Sequence, residues 1–282
     1  MASANQPNVW FITGTSQGFG RELVKTALDR GDRVVATSRD PAKVLAAFPN
    51  AGDRLKALAM DLNDQAAINA AVTAATTAFG TVDVLINNAG FGILGAVEEV
   101  NETETAKAFD INVHGLLRVT RAILPVMRER KSGHIVNLSS IGGLVGLPGF
   151  GLYNATKFAV EGLSEALAKE VAPLGIKVTI VEPGPFRTDF LGGSLALAEK
   201  VIPAYDKTSG QTRKYATDRN GSQPGDPVKA AALIVQAVLS EKPPLHLLLG
   251  GQAYKVAAQK LDALKADMET WRDAALATDF PS

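Results

Sequence analysis

Val9-Trp10-Phe11-Ile12-Thr13-Gly14-Thr15-Ser16-Gln17-Gly18-Phe19-Gly20 decides the fold. A short apolar run ends in a glycine turn, and Arg21 to Arg30 follows with helical periodicity through Leu23, Ala27 and Leu28. This is strand, turn, helix. Glycines at such a turn let the backbone approach a phosphate closely, while the helix N-terminus supplies free N–H groups and the positive end of its dipole. The spacing is G-x-x-x-G-x-G rather than the G-x-G-x-x-G of the common dinucleotide fingerprint. It is therefore the flanking strand and helix, more than the glycines, that point to a nucleotide.

Working outward, Arg33 to Arg39 reads as a second strand and completes a βαβ unit. An acid at the end of that strand bonds ribose hydroxyls, whereas an arginine accommodates a 2′-phosphate. Ser38 and Arg39 stand there, which favours NADP over NAD; the competing reading is a solvated Arg39 partnered by Asp40. Leu55 to Met60 is a third strand closing on Asp61-Leu62-Asn63-Asp64, where Asp61 either bonds an adenine amino group or caps the next helix. The alanine-rich Gln65 to Phe79 is that helix, and Val82 to Ile86 is a fourth strand running into Asn87-Asn88-Ala89-Gly90.

A long helix is predicted from Glu102 to Pro125, with Asn112 in its interior. Asparagine is an indifferent helix former, which reserves Asn112 for a specific task. Gly133 to Ser140 is the fifth strand and Gly175 to Val181 the sixth, followed by the rigid turn Glu182-Pro183-Gly184-Pro185. Phe186 to Gly225 reads as a long irregular lid. Asp226-Pro227, a cap followed by proline, opens a helix to Ser240. Leu245 to Leu249 makes a seventh strand, and Gln252 to Ala275 an amphipathic C-terminal helix. Alternating strands and helices predict an α/β fold, a doubly wound seven-stranded parallel sheet with helices on both faces, in one domain without linker or repeat. Ligands bind beyond the carboxyl ends of such strands, so the glycine turn, Asn88-Ala89-Gly90 and Ser140 converge on one edge.

Tyr153 and Lys157 open the helix Tyr153 to Ala172, thirteen residues after Ser140. Four residues apart, they share a helix face. A free tyrosine has a pKa near ~10, and an adjacent ammonium favours the phenolate. The spacing thus predicts a phenol shifted down toward neutrality.

The bulk composition narrows the remaining classes. The 282 residues are 46% apolar and 21% charged, ordinary for a chain with a sizeable core, and the net charge is zero. No basic block marks a nucleic-acid or anionic-membrane partner. The absence of cysteine excludes disulfides and thiolate chemistry, and His114, His134 and His246 are widely separated, in no metal-ligand spacing. The polar start, Met1 to Asn8, reads as neither signal nor transit peptide, and no apolar stretch reaches the ~20 residues of a membrane span. The expected location is cytoplasmic.

Thr13-Gly14-x-x-x-Gly18-x-Gly20, Asn87-Asn88-Ala89-Gly90, Asn112, Ser140, Tyr153-x-x-x-Lys157 and Pro183-Gly184 to Thr188 stand in the order and spacing of the short-chain dehydrogenase/reductase family, which this chain resembles over about residues 8 to 250. Ser140 to Pro148 and Tyr153 to Leu163 look like its hydroxysteroid and retinol dehydrogenase branch. The resemblance implies a Rossmann fold, with Tyr153 as general acid/base and Ser140 holding the substrate oxygen. It implies that Lys157 bonds the nicotinamide ribose and lowers the tyrosine pKa, and that Asn112 holds a relay water. It places Gly14, Ser16, Gln17, Gly18, Phe19, Gly20 and Arg39 at the adenosine phosphates and Asp61 and Leu62 at adenine. Asn88, Ala89 and Gly90 then lie along the ribose, and Pro183, Gly184, Phe186 and Thr188 at the nicotinamide amide. Gln17 stands where members that prefer NADP often carry a base, so Arg39 alone carries the preference.

Ile141, Leu147, Phe150, Pro185, Phe186 and Phe190 are candidate walls for a small-molecule ketone, aldehyde or secondary alcohol on a hydrophobic body. The resemblance further implies a homodimer through the two helices spanning 102 to 125 and 153 to 172, with a tetramer possible. The alternatives are a non-catalytic nucleotide sensor, which the four intact catalytic positions argue against, and an epimerase of the same superfamily, which would differ in glycine spacing and length.

Overall fold

The computed structural model describes residues 7–280; most of the polar start and the last two residues lie outside it. The strands of the main sheet are β1 (Val9–Thr13), β2 (Arg33–Ser38), β3 (Leu55–Ala59), β4 (Val84–Asn87), β6 (Gly133–Leu138), β7 (Ile176–Pro183) and β9 (His246–Leu249). They run parallel in the order β3-β2-β1-β4-β6-β7-β9. The order reverses between β1 and β4, and that switch point opens the crevice where ligands bind in sheets of this kind.

Side chains alternate across a strand. Trp10 and Ile12 therefore enter one core with α1 (Gly18–Asp29), α2 (Pro41–Ala47) and α8 (Pro227–Leu239), while Phe11 enters the opposite core. That second core is closed by α3 (Gln65–Phe79), α5 (Leu116–Arg130) and α6 (Gly151–Val171). Burial on both faces explains why the central strands β1 and β4 carry the apolar runs Val9 to Ile12 and Val84 to Ile86. Asp226 caps α8 as its sequence predicts, accepting from the N–H groups of Val228 at 2.9 Å and Lys229 at 3.3 Å.

Three local expectations are corrected. The helix expected over 102 to 125 is α4 (Glu102–Phe109), a π-helical turn over Asp110–Gly115, and then α5, which continues through Pro125 to Arg130. Packing of Ile123 and Met127 into the core holds the helix past the proline, and the chain leaves it only at Lys131, in the left-handed region at φ 50°. The cap of α3 is Asp64, accepting from Ala66 and Ala67, whereas Asp61 accepts only from Asn63 N–H in its own turn.

The stretch 186–225 is not irregular throughout. It contains a short strand, β8 (Leu195–Leu197), paired in parallel with β5 (Gly92–Leu94), and a helix, α7 (Ser209–Arg219). Only Ser209 and Ala216 of α7 are buried, so α7 has no apolar periodicity for a sequence reading to find. The last helix, α9 (Gly251–Leu276), buries Ala253 and Ala257 and is otherwise largely exposed.

His134 is buried beside Thr179, 2.9 Å from its hydroxyl, and burial pushes its imidazole down from 6.5 to about 4. The unfolded chain therefore binds a proton that the folded chain refuses, and stability is lost as pH falls from 6.5 toward 4. Replacing His134 by Gln is expected to flatten the melting temperature across that window relative to wild type. A variant whose acid-side slope matches wild type would contradict this assignment.

Candidate active site

The crevice at the switch point is built by hydrogen bonds between two turns. Thr13 Oγ1 accepts from the N–H groups of Asn88 and Ala89, both at 3.0 Å. Asn88 Nδ2 returns two bonds, to the carbonyls of Thr13 at 2.8 Å and Gly14 at 2.9 Å. The turns approach so closely that only glycine fits. Gly14 sits at φ 69° with Ala89 against it, and a Cβ on Gly20 would collide with the Gly14 carbonyl.

No side chain caps α1, so its first N–H groups remain available at this edge. Phe19 packs on Phe186, ring centroids 5.2 Å apart. Gln17 Nε2 donates to Asp189 Oδ2 and Ser194 Oγ, both at 3.1 Å, tying the glycine turn to the segment after β7. Gly184 N–H bonds the Leu249 carbonyl at 3.0 Å, and Thr188 caps the turn that carries Phe190.

At the far side of the crevice lie Ser38, Arg39, Asp61 and Leu62. Arg39 is exposed and forms no ion pair among the described residues; Asp40 pairs instead with Lys43 at 3.7 Å. Ser38 is buried with its hydroxyl unpartnered. Asp61 is exposed, and Leu62 is buried.

The tyrosine and the lysine are both buried, on the first two turns of α6. Lys157 Nζ donates to the Leu138 carbonyl at 2.7 Å, where β6 ends, and lies 5.8 Å from the Tyr153 ring centroid. Burial lowers the ammonium to about 8, with Glu161 opposing, and raises the phenol to about 12, with Ser140 opposing. The expected downward shift of Tyr153 is thus reversed: in the protein alone, loss of water around the ring outweighs the hydrogen bond with Ser140.

Ser140 Oγ accepts from Gly142 N–H at 3.0 Å. Asn112, on the π-helical turn, bonds both backbone groups of Phe91, accepting at 3.0 Å and donating at 2.9 Å, and donates to Thr156 Oγ1 at 3.1 Å. Thr156 in turn donates to the Tyr153 carbonyl at 2.7 Å. The irregular turn is what aims Asn112 inward, and π-turns recur at functional sites.

Of the proposed walls, Phe150 and Phe190 meet Tyr153, with ring centroids 5.9 and 5.5 Å away. Ile141 instead packs with Ala253 and Ala257 of α9, Phe186 packs on Phe19, and Leu147 is exposed. Sequence reading missed Phe91 and Ile93, which join the same apolar cluster as Tyr153. The signal was the apolar run Phe91-Gly92-Ile93-Leu94 directly after the Asn87 to Gly90 turn. It also missed Glu99, whose buried carboxylate accepts from Ala96 and Ile202 N–H and takes a two-pronged ion pair from Arg213 at 2.6 and 3.2 Å. Arg213 holds Glu99 down at about 2.

These features define an α/β protein of the dinucleotide-binding class. The chain belongs to the short-chain dehydrogenase/reductase family, oxidoreductases acting on CH–OH groups: the short chain dehydrogenase family model matches residues 8–196. It is 38% identical over 271 residues to oxidoreductase BOA17 of Botryotinia fuckeliana, covering 96% of this chain and 98% of that one. It is 35% identical over 272 residues to human 17-beta-hydroxysteroid dehydrogenase type 1, covering 90% and 81%. A short-chain dehydrogenase from Streptomyces avermitilis superposes with a TM-score of 0.90 at 45% identity, covering 98% of this chain and 100% of that one. Two more distant structures hold cofactors. One from Burkholderia phymatum contains NAD, at 25% identity, TM-score 0.76, covering 98% and 97%; ElxO contains NADP, at 26% identity, TM-score 0.73, covering 89% and 100%.

The Glu99–Arg213 pair fastens α7 to the loop after β5. Removing one partner of a buried pair leaves an uncompensated charge and costs roughly 3 kcal/mol. Arg213→Ala should lower the melting temperature and loosen the segment 195–213, read as faster amide exchange there than elsewhere. Unchanged exchange in that segment would refute the fastening role.

Proposed function

We propose that this chain is an NADP(H)-dependent oxidoreductase that moves a hydride between the nicotinamide and a ketone, aldehyde or secondary alcohol on a hydrophobic body. The observation that carries the reading is the meeting of Tyr153, Lys157, Ser140 and Asn112 beside an apolar wall of Phe150 and Phe190, at the edge that also presents the glycine turn.

The residues present fit a dinucleotide. The uncapped start of α1 and the close approach at Gly14 and Gly20 suit a pyrophosphate, and the unpartnered Ser38 hydroxyl with the free Arg39 suits a 2′-phosphate. Asp61 and Leu62 would border adenine, Asn88 to Gly90 the ribose, and Pro183, Gly184, Phe186 and Thr188 the nicotinamide end. When bound, the nicotinamide supplies or accepts the hydride.

The chain's own part is the proton. A phenol held near 12 carries its proton at neutral pH, so Tyr153 is set to donate it to a carbonyl oxygen as charge develops there. Ser140 steadies that oxygen by donating its hydroxyl hydrogen. Lys157 remains largely charged at neutral pH with a value of about 8, and its field favours the phenolate that donation leaves behind. Asn112 anchors the backbone beside Lys157 and lines the route by which the proton is restored. In oxidation the same groups run in reverse. Segment 186–225 acts as the lid, with Phe190 shutting the ring away from water.

Copies of the chain pair through the helical stretch 102–125 and through α6, where Phe158 and Leu163 of α6 are exposed, and they work in the cytoplasm. Among the described residues, no helix is long and apolar enough to cross a membrane.

Tyr153→Phe is expected to cut kcat/KM for ketone reduction by ~100-fold or more, the usual worth of a general acid, while NADPH affinity by fluorescence titration stays close to wild type. Retained turnover would end the mechanism. Arg39→Ala is expected to weaken NADPH binding by ~10-fold or more, the worth of a charge-assisted bond, with little change for NADH. Equal losses for both cofactors would remove the argument for NADP.

A further inference from the structure

Behind the tyrosine and lysine lies a second cluster of ionisable groups that the proposed reaction does not use. Glu161 stands one turn beyond Lys157 on α6, Glu182 is the penultimate residue of β7, and His246 is the first of β9. The side chain of Glu182 is 0% exposed and that of Glu161 6%, while His246 is 37% exposed and faces outward. His246 Nδ1 is 2.7 Å from Glu182 Oε1 and 3.8 Å from Glu161 Oε2, and its Nε2 is 4.0 Å from Glu165 Oε1.

Charge and hydrogen bonding do not balance here. Three carboxylates face one imidazole, and none of them pairs with a lysine or arginine among the described residues. Oε2 of Glu182 is buried without a hydrogen-bond partner among the described residues, and Glu161 is buried with only the Ser139 hydroxyl beside it. Buried carboxylates in that condition are costly unless a cation meets them or a proton neutralises them. His246 reaches only Glu182 Oε1 at hydrogen-bond distance, which leaves Oε2 of Glu182 unpartnered and Glu161 without a hydrogen bond from the imidazole.

We propose that Glu161, Glu182 and His246 form a binding site for a divalent transition-metal cation. One donor atom from each lies within 4.8 Å of the other two. Donors bonded to one ion at ~2.1 Å sit ~3 to 4 Å apart, so small side-chain rotations close the set. One imidazole nitrogen with two carboxylates suits zinc, manganese or cobalt, whereas magnesium and calcium take oxygen donors throughout. The exposed side of His246 gives the ion a path from solvent and room for water ligands. Because the three donors come from α6, β7 and β9, an ion there fixes the helix that carries Tyr153 and Lys157 against the last two strands.

The test reads ion binding by protein stripped with a chelator, with neither cofactor nor substrate present, so its outcome is independent of the oxidoreductase reading. Zinc, manganese and cobalt chlorides are added in turn, the protein is desalted, and retained metal is counted by mass spectrometry alongside thermal melting. Wild type should retain about one equivalent of one of these ions and melt higher with it. His246→Ala removes a partly exposed ligand, and Glu161→Gln keeps the shape; each should weaken binding by ~100-fold. Glu165→Gln removes a neighbouring charge without removing a ligand and should bind close to wild type. Failure of wild type to retain any of the three ions would overturn the site and leave protons as the balance for the carboxylates. An equal loss in all three variants would overturn it as well, since general charge attraction would then explain the binding.

Discussion

A buried hydrogen bond from the Lys157 ammonium to the Leu138 carbonyl ties the candidate site to the end of β6, and further along the same helix Ser164 Oγ accepts from Asn137 Nδ2 at 2.8 Å. An ammonium in that position has given up water, and the carbonyl at the end of β6 is the hydrogen-bond partner it gained. With the lysine bond in place, Tyr153 faces the same edge as Ser140, which follows on the strand end. The price is visible in both partners: burial lowers Lys157 and raises Tyr153. The phenol therefore carries its proton at neutral pH in the protein alone.

The rest of the edge is arranged to make that position useful. Thr13 and Asn88 bind the glycine turn to the turn after β4 through four hydrogen bonds, which leaves the start of α1 facing the same crevice. Gln17 connects this turn to Asp189 and Ser194, next to the residue whose ring covers Tyr153. A shift in the glycine turn on binding a dinucleotide would thus be felt at Phe190. The bidentate Glu99–Arg213 pair secures the other end of the same covering segment.

Much of this was legible in the sequence because a parallel sheet covered on both faces writes continuous apolar runs, and Val9 to Ile12 and Val84 to Ile86 are such runs. Tyr153, Lys157, Ser140 and Asn112 were singled out by their order and spacing, and the roles proposed for them rest on their placement at one edge of the sheet. What was not legible depended on contacts distant in sequence. The π-turn at 110–115 is helical in composition and becomes irregular only where Asn112 reaches Phe91 and Thr156. Helix α7 carries no apolar stripe, since most of its surface faces water. Ile141 reads as a wall residue from its place after Ser140, yet α9 covers it. The downward pKa expected for Tyr153 counted the neighbouring charge and could not count the burial that pushes the phenol up.

The account rests most directly on the protonation state of Tyr153 in the cofactor-free protein, which a carbon-13 label on the tyrosine ring carbon bearing the hydroxyl reports, assigned by comparison with Tyr153→Phe. The expected result is a Tyr153 signal that stays in the phenol form through pH 10 and begins to move only as the pH approaches about 12. A Tyr153 signal that titrates between pH 7 and 9 without cofactor would contradict the account, because the adjacent ammonium would then outweigh burial.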